Sequence, residues 1–243
     1  MNRPSSHTLF QKVLAWGVHL LTASGILAGF MALLAITAHD WHEAMLWLLL
    51  GLLIDGIDGT FARLFHTKEV LPYMDGKAID YVIDFANYAL IPAYFLYESG
   101  LLPEALRLPA TLLVLLVSAL YYGKSGMVSQ DLYFVGFPVL WNMAAFYLFF
   151  GFHAPPWINF AIVISLAVLH FVPIKFLYPS QTPTFRSLNI AVSVLFFLVN
   201  AAILWLHPRE LPWLQGLSLV VVLYFGAMAV YATWFPRTGG LFH

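Results

Sequence analysis

The chain has 243 residues, of which 61% are hydrophobic and only 9% charged, with a formal net charge of −1. A soluble domain carries about 25% charged residues. The composition, with a mean hydropathy of +0.82, therefore excludes an ordinary soluble fold and describes an all-α, polytopic membrane helical bundle. The near-zero net charge and the lack of a basic tail point away from nucleic acid, and the absence of cysteine excludes disulfides and thiolate metal sites.

A span needs about 20 apolar residues, and cuts at polar, Pro and Gly punctuation predict eight. The first, 10–38, runs too far for a secretory h-region and shows no small-residue cleavage site, so it reads as a retained span. Thr22 and Ser24 interrupt it; they either line a pocket or bond back to their own helix. Gly25 and Gly29 form a small-xxx-small pair that favours close packing within the bundle. The second and third spans, 42–66 and 75–97, carry the acidic residues taken up below. The fourth, 104–123, ends on Tyr121 and Tyr122. The fifth to eighth are expected at 131–152, 156–177, 185–206 and 212–235. Pro92, Pro138 and Pro173 are expected to kink their helices. His19, His39, His42 and His170 lack zinc spacing and read as interfacial or hydrogen-bonded core groups. The connectors are too short for a soluble domain, so residues 1–243 read as one membrane-embedded domain without an internal repeat.

Lys and Arg set the orientation. With a cytoplasmic N-terminus, Arg3, Lys12, Arg63, Lys68, Lys77, Lys124, Lys175, Arg186 and Arg237 fall inside and Arg107 and Arg209 outside, nine against two. Both termini are then expected in the cytoplasm.

Six of the twelve acidic residues lie between residues 52 and 85: Asp55, Asp58, Glu69, Asp75, Asp80 and Asp84. Positions three and four apart share a helix face. Asp55, Asp58, Gly59 and Ala62 form one stripe, with Arg63 beside it; Gly76, Asp80 and Asp84 form another, continued by Asn87 and Tyr88. Asp55 is eight residues from Arg63, about 12 Å along the axis, so the carboxylates are expected just below the cytosolic interface. An intramembrane charge costs about 2.5–3.5 kcal/mol on insertion scales. Four facing lipid would not be tolerated, and hard divalent cations, Mg²⁺ or Mn²⁺, are their natural neutralisers. Asp75 reads as a helix N-cap and Glu69 as a solvated loop charge. Proton relays and ion pathways also use intramembrane acids, which leaves an ion-coupled transporter as a reading from another class.

"DGIDGTFAR" followed, after twelve residues, by "GKAIDYVID" resembles the signature of the CDP-alcohol phosphatidyltransferases. Every fixed position is present: Asp55, Asp58, Gly59, Ala62, Arg63, Gly76, Asp80 and Asp84. The family's usual spacer is shorter and its core has six spans. The longer spacer, the eight expected spans and the stretches 133–142 and 171–182 are similar to the bacterial subfamily that uses choline as acceptor. The resemblance implies transfer of the phosphatidyl group of CDP-diacylglycerol to choline, giving phosphatidylcholine and CMP, in a bacterial inner membrane and in a homodimer. It implies metal ligation by Asp55, Asp58, Asp80 and Asp84, with Asp84 also as base. Nucleotide contacts are implied for Asp55, Gly59, Ala62, Arg63 and Gly76, and Thr22 is a further candidate.

Choline offers no hydrogen-bond donor on its cationic end, so aromatic faces are the expected recognition element. Tyr88, Tyr122, Tyr133, Trp141 and Tyr178 are the candidates, with Tyr121 nearby and Asp131 as a counter-charge. Serine, inositol or glycerol phosphate would suit the same chemistry. A phosphorylated acceptor calls for clustered Arg and Lys, whereas Lys124, Lys175 and Arg186 are scattered.

Overall fold

Side-chain caps start three of the helices. The computed structural model describes residues 7–209 and 211–235; Arg3 and Arg237, used above for orientation, lie outside the described residues. Thr8 and Gln11 close a capping box on α1 (Leu9–Thr37). Asp40 accepts the Glu43 N–H at 2.9 Å and starts α2 (Trp41–Leu64). After the single turn α3 (Thr67–Val70), Asp75 accepts the N–H groups of Lys77 and Ala78 at 3.0 and 3.2 Å and starts α4 (Gly76–Asp84), the N-cap role expected of it. A π turn (Phe85–Leu90) and α5 (Ile91–Glu98) continue α4 without a break. α6 (Glu104–Tyr122), α9 (Arg186–Leu206) and α10 (Pro212–Trp234) follow the expected boundaries closely.

Two of the expected spans are corrected. Residues 131–152 begin with β1 (Tyr133–Val135), and only α7 (Trp141–Phe146) and a second π turn (Tyr147–Gly151) are helical. Residues 156–177 contain α8 (Pro156–Leu169) and end in β2 (Lys175–Leu177). β1 and β2 pair antiparallel, with Phe134 opposite Phe176. Gly136 makes the break: its φ is +90°, and a Cβ there would collide with the His170 carbonyl, so helix cannot continue through it. Its N–H donates to Ile174 at 2.8 Å instead. Pro138 and Pro173 thus lie outside helices and kink none. The 14 residues of α8 span about 21 Å, short of a hydrocarbon core about 30 Å thick.

Among the described residues, five helices are long and apolar enough to cross a bilayer: α1, α2, α6, α9 and α10. The chain is therefore an all-α, multi-pass membrane protein. The main buried cluster joins α1, α2, α5, α6, α7 and α8 and includes Phe95, Phe146, Trp141 and Tyr121. Gly25 and Gly29 serve packing within the bundle, since Asn87 of the first π turn lies against both. Thr22 and Ser24 bond back to the Val18 and Leu21 carbonyls at 3.3 and 2.6 Å.

Candidate functional site

Asp55 leaves the second half of α2, and Asp80 and Asp84 leave one face of α4 four residues apart. Carboxylate oxygens of all three lie within 4.8 Å of one another. Each residue is partly exposed, so the trio does not lie in a sealed core. Three oxygen donors at this separation could hold a metal ion, and carboxylates offer a hard cation more than a soft one.

Asp58 stands apart from the trio. It is 5% exposed, beside the Thr22 hydroxyl and within range of the Arg63 charge, and its own charge reaches Asp80. Arg63 is exposed and donates to Thr60 Oγ1 at 3.1 Å. A Cβ at Gly59 would lie 3.4 Å from the Arg63 guanidinium, and one at Gly76 would lie 3.2 Å from the His19 ring. Gly59 thus faces the Arg63 side chain and Gly76 the His19 ring, while Ala62 is half-buried.

The aromatic candidates separate. Tyr88 is 5% exposed and donates its hydroxyl to Asp55 Oδ2 at 2.8 Å. Tyr122 is half-buried, packs against Tyr81 and Phe85 with centroids 5.8 and 6.2 Å apart, and lies within range of the Asp84, Asp55 and Asp80 charges. Tyr178, just after β2, stacks on Phe134 at 4.6 Å. Burial and the Asp55 and Asp80 charges push its phenol above the ordinary value, so the loop brings Tyr178 within electrostatic range of the acids. Tyr133 is buried, with the Lys175 ammonium 5.8 Å from its ring centre. Trp141 is fully buried; it donates to Ser118 Oγ at 2.9 Å and stacks on His170, which also meets Tyr121.

Asp131 pairs with Lys175 at 2.7 Å. Partial burial opposes its charge, but the Lys175 and Ser129 hydrogen bonds hold its carboxyl below the ordinary value. Glu69 is exposed and lies 3.7 Å from His66. His42 meets the Leu204 carbonyl at 2.7 Å, and His170 meets that of Leu166 at 2.9 Å. Two features escaped the sequence reading: the Tyr88 hydroxyl as a partner of Asp55, and the β1–β2 strand pair that precedes Tyr178. Gly136 with the flanking prolines was the available signal for the strand pair.

An integral membrane helical protein with this acidic centre, set in the two-helix signature, is a CDP-alcohol phosphatidyltransferase in class. No protein-family model matches the chain. It is 40% identical over 233 residues to a phosphatidylcholine synthase of Pseudomonas aeruginosa, covering 95% of this chain and 98% of the relative. The phosphatidylcholine synthases of Rhizobium meliloti and Borreliella burgdorferi are 36% and 32% identical, covering 95% and 93% of this chain and 95% and 97% of those proteins. The chain belongs to the phosphatidylcholine synthase family.

Proposed function

We propose that this enzyme transfers the phosphatidyl group of CDP-diacylglycerol to choline and releases CMP, within a single membrane-embedded domain. The observation that carries the reading is the convergence of Asp55, Asp80 and Asp84 within 4.8 Å, in a chain whose full-length relatives are named for that product. These three residues, with Asp58 beside them, would hold Mg²⁺ or Mn²⁺. When bound, the metal neutralises pyrophosphate charge and the charge that develops on the leaving CMP.

The chain's own residues do the rest. Gly59, Ala62 and Gly76 leave room for the nucleotide along α2 and α4, with Arg63 and Thr22 at its flanks. Asp84 takes the proton from the choline hydroxyl. The freed oxygen bonds to the phosphorus that carries diacylglycerol, and the bond from that phosphorus to the CMP oxygen breaks, its electron pair leaving with CMP. Tyr122 and Tyr178 offer aromatic faces to the trimethylammonium group. The excess of Lys and Arg on one side supports a site facing the cytoplasm of a bacterial inner membrane, where choline arrives from water while the lipid tails stay in the bilayer. The resemblance to the transferase family supports a homodimer.

The test is purified protein with CDP-diacylglycerol, Mn²⁺ and labelled choline, run beside serine, inositol and glycerol phosphate. Chelator-sensitive labelled phosphatidylcholine with equimolar CMP is expected. CMP release with another alcohol alone would remove the choline assignment, and no CMP under any condition would remove the transferase reading.

A further inference from the structure

The hydroxyl of Tyr88 ends on a carboxylate of the acidic trio. Its 2.8 Å bond to Asp55 Oδ2 joins α2 to the π turn that follows Asp84. The trio is divided between two helices: Asp55 belongs to α2, and Asp80 and Asp84 to α4. Three carboxylates this close repel one another, and a phenol donor steadies Asp55 without adding a charge to the trio.

The position of that phenol is itself fixed. Asn87, its neighbour, donates Nδ2 to the Gly25 carbonyl at 3.0 Å. Its side chain occupies a notch of glycines: a Cβ would fall 3.6 Å from it at Gly25 and 3.0 Å at Gly51, and would collide with it at Gly29. The i→i+5 bonding of a π turn winds the chain less per residue than an α turn, and here both residues turn inward, Asn87 2% and Tyr88 5% exposed. The π turn therefore anchors one side chain on α1 and aims the next at α2.

We propose that Tyr88 is a positioning residue whose hydroxyl orients Asp55 for metal binding, and that its ring does not enclose choline. This rests on the reading of the trio as a divalent-cation centre. Removing such an outer partner weakens metal affinity or activity about 10–100-fold.

The experiment is a Mn²⁺ titration of the purified protein in nanodiscs without substrates, following the spin-resonance signal of free Mn²⁺, then kcat and KM for choline. Tyr88→Phe keeps the ring and is expected to weaken Mn²⁺ affinity about 10-fold, to regain turnover as Mn²⁺ is raised, and to leave choline KM at saturating Mn²⁺ unchanged. Asn87→Ala, which frees the anchor but keeps the phenol, is expected to shift Mn²⁺ affinity in the same direction by less. Unchanged Mn²⁺ affinity in Tyr88→Phe overturns the proposal, and a raised choline KM alongside it would place the hydroxyl's task on the acceptor instead. Wild-type protein that binds no Mn²⁺ overturns it as well. Wild-type protein that binds Mn²⁺ but makes no phosphatidylcholine fails only the proposed reaction, and the titration still decides the role of Tyr88.

Discussion

Asn87 donates its side-chain amide to the carbonyl of Gly25 at 3.0 Å, pinning the π turn after α4 against the first helix. The contact depends on missing side chains, because a Cβ at Gly29 would run into Asn87 Oδ1 and a second neighbour, Ile91, lies 2.8 Å from the same point. Gly29→Ala is expected to destabilise the protein by about 1–3 kcal/mol through overpacking, lowering its thermal midpoint in detergent. Gly17→Ala is the matched control: nothing lies within 4 Å of its Cβ position, and helix propensity favours alanine by about 1 kcal/mol. Equal midpoints for the two variants would mean that the notch does not hold the turn.

The acidic site was legible in the sequence because helical periodicity alone puts Asp80 and Asp84 on one face and Asp55 on a neighbouring helix. Asp75 was legible as a cap because a short polar side chain before Gly76 has an obvious backbone task. The residues from Asp131 to Leu177 were not. They are as apolar as a span, and hydropathy cannot distinguish short helices flanked by paired strands from lipid-facing spans; only the positive φ at Gly136 and the pairing of Phe134 with Phe176 decide it. The role of the Tyr88 hydroxyl was equally hidden, since spacing gave the direction of the ring but not the atom its oxygen would meet.

The β1–β2 strand pair is clamped by Lys175 and Asp131 at 2.7 Å. The folded carboxyl of Asp131 lies below its ordinary value, so the clamp contributes stability above that ordinary value and loses it as pH falls through the lower, folded one. Hydrogen exchange of the Tyr133–Val135 and Lys175–Leu177 amides, corrected for intrinsic rates, is expected to be flat from pH 8 to 5 and to rise in stronger acid, below about pH 4. Asp131→Asn should show the faster exchange already at neutral pH. Identical exchange in both proteins would leave the ion pair without a structural task.

Asp84 is assigned two tasks, and one substitution separates them from nucleotide binding. Asp84→Asn keeps the shape but can neither take a proton nor carry a charge. Turnover is expected to fall about 10²–10⁴-fold, with CDP-diacylglycerol affinity reduced but measurable in the presence of Mn²⁺. Chelator should abolish turnover of the wild type reversibly, with Mn²⁺ or Mg²⁺ restoring it. A variant with near-normal turnover would remove Asp84 from proton transfer while leaving Asp55 and Asp80 as ligands.

Tyr178 gives the sharpest test of how the acceptor is chosen. The turn after β2 fixes its backbone: its N–H donates to Thr182 Oγ1 at 3.0 Å, and Thr182 in turn donates to the Leu132 carbonyl at 2.6 Å. Its ring stacks on Phe134, and its raised phenol value keeps it neutral throughout the physiological range. A neutral aromatic face near carboxylates suits a quaternary ammonium, for which a cation–π contact is worth about 0.5–2 kcal/mol. Tyr178→Leu is therefore expected to raise choline KM by roughly 2- to 30-fold at 1.4 kcal/mol per tenfold, with Mn²⁺ affinity unchanged, while Tyr178→Phe keeps most of the wild-type KM. If leucine and phenylalanine behave alike, the ring contributes no cation–π contact, and Tyr122, against Tyr81 and Phe85, becomes the face to test next.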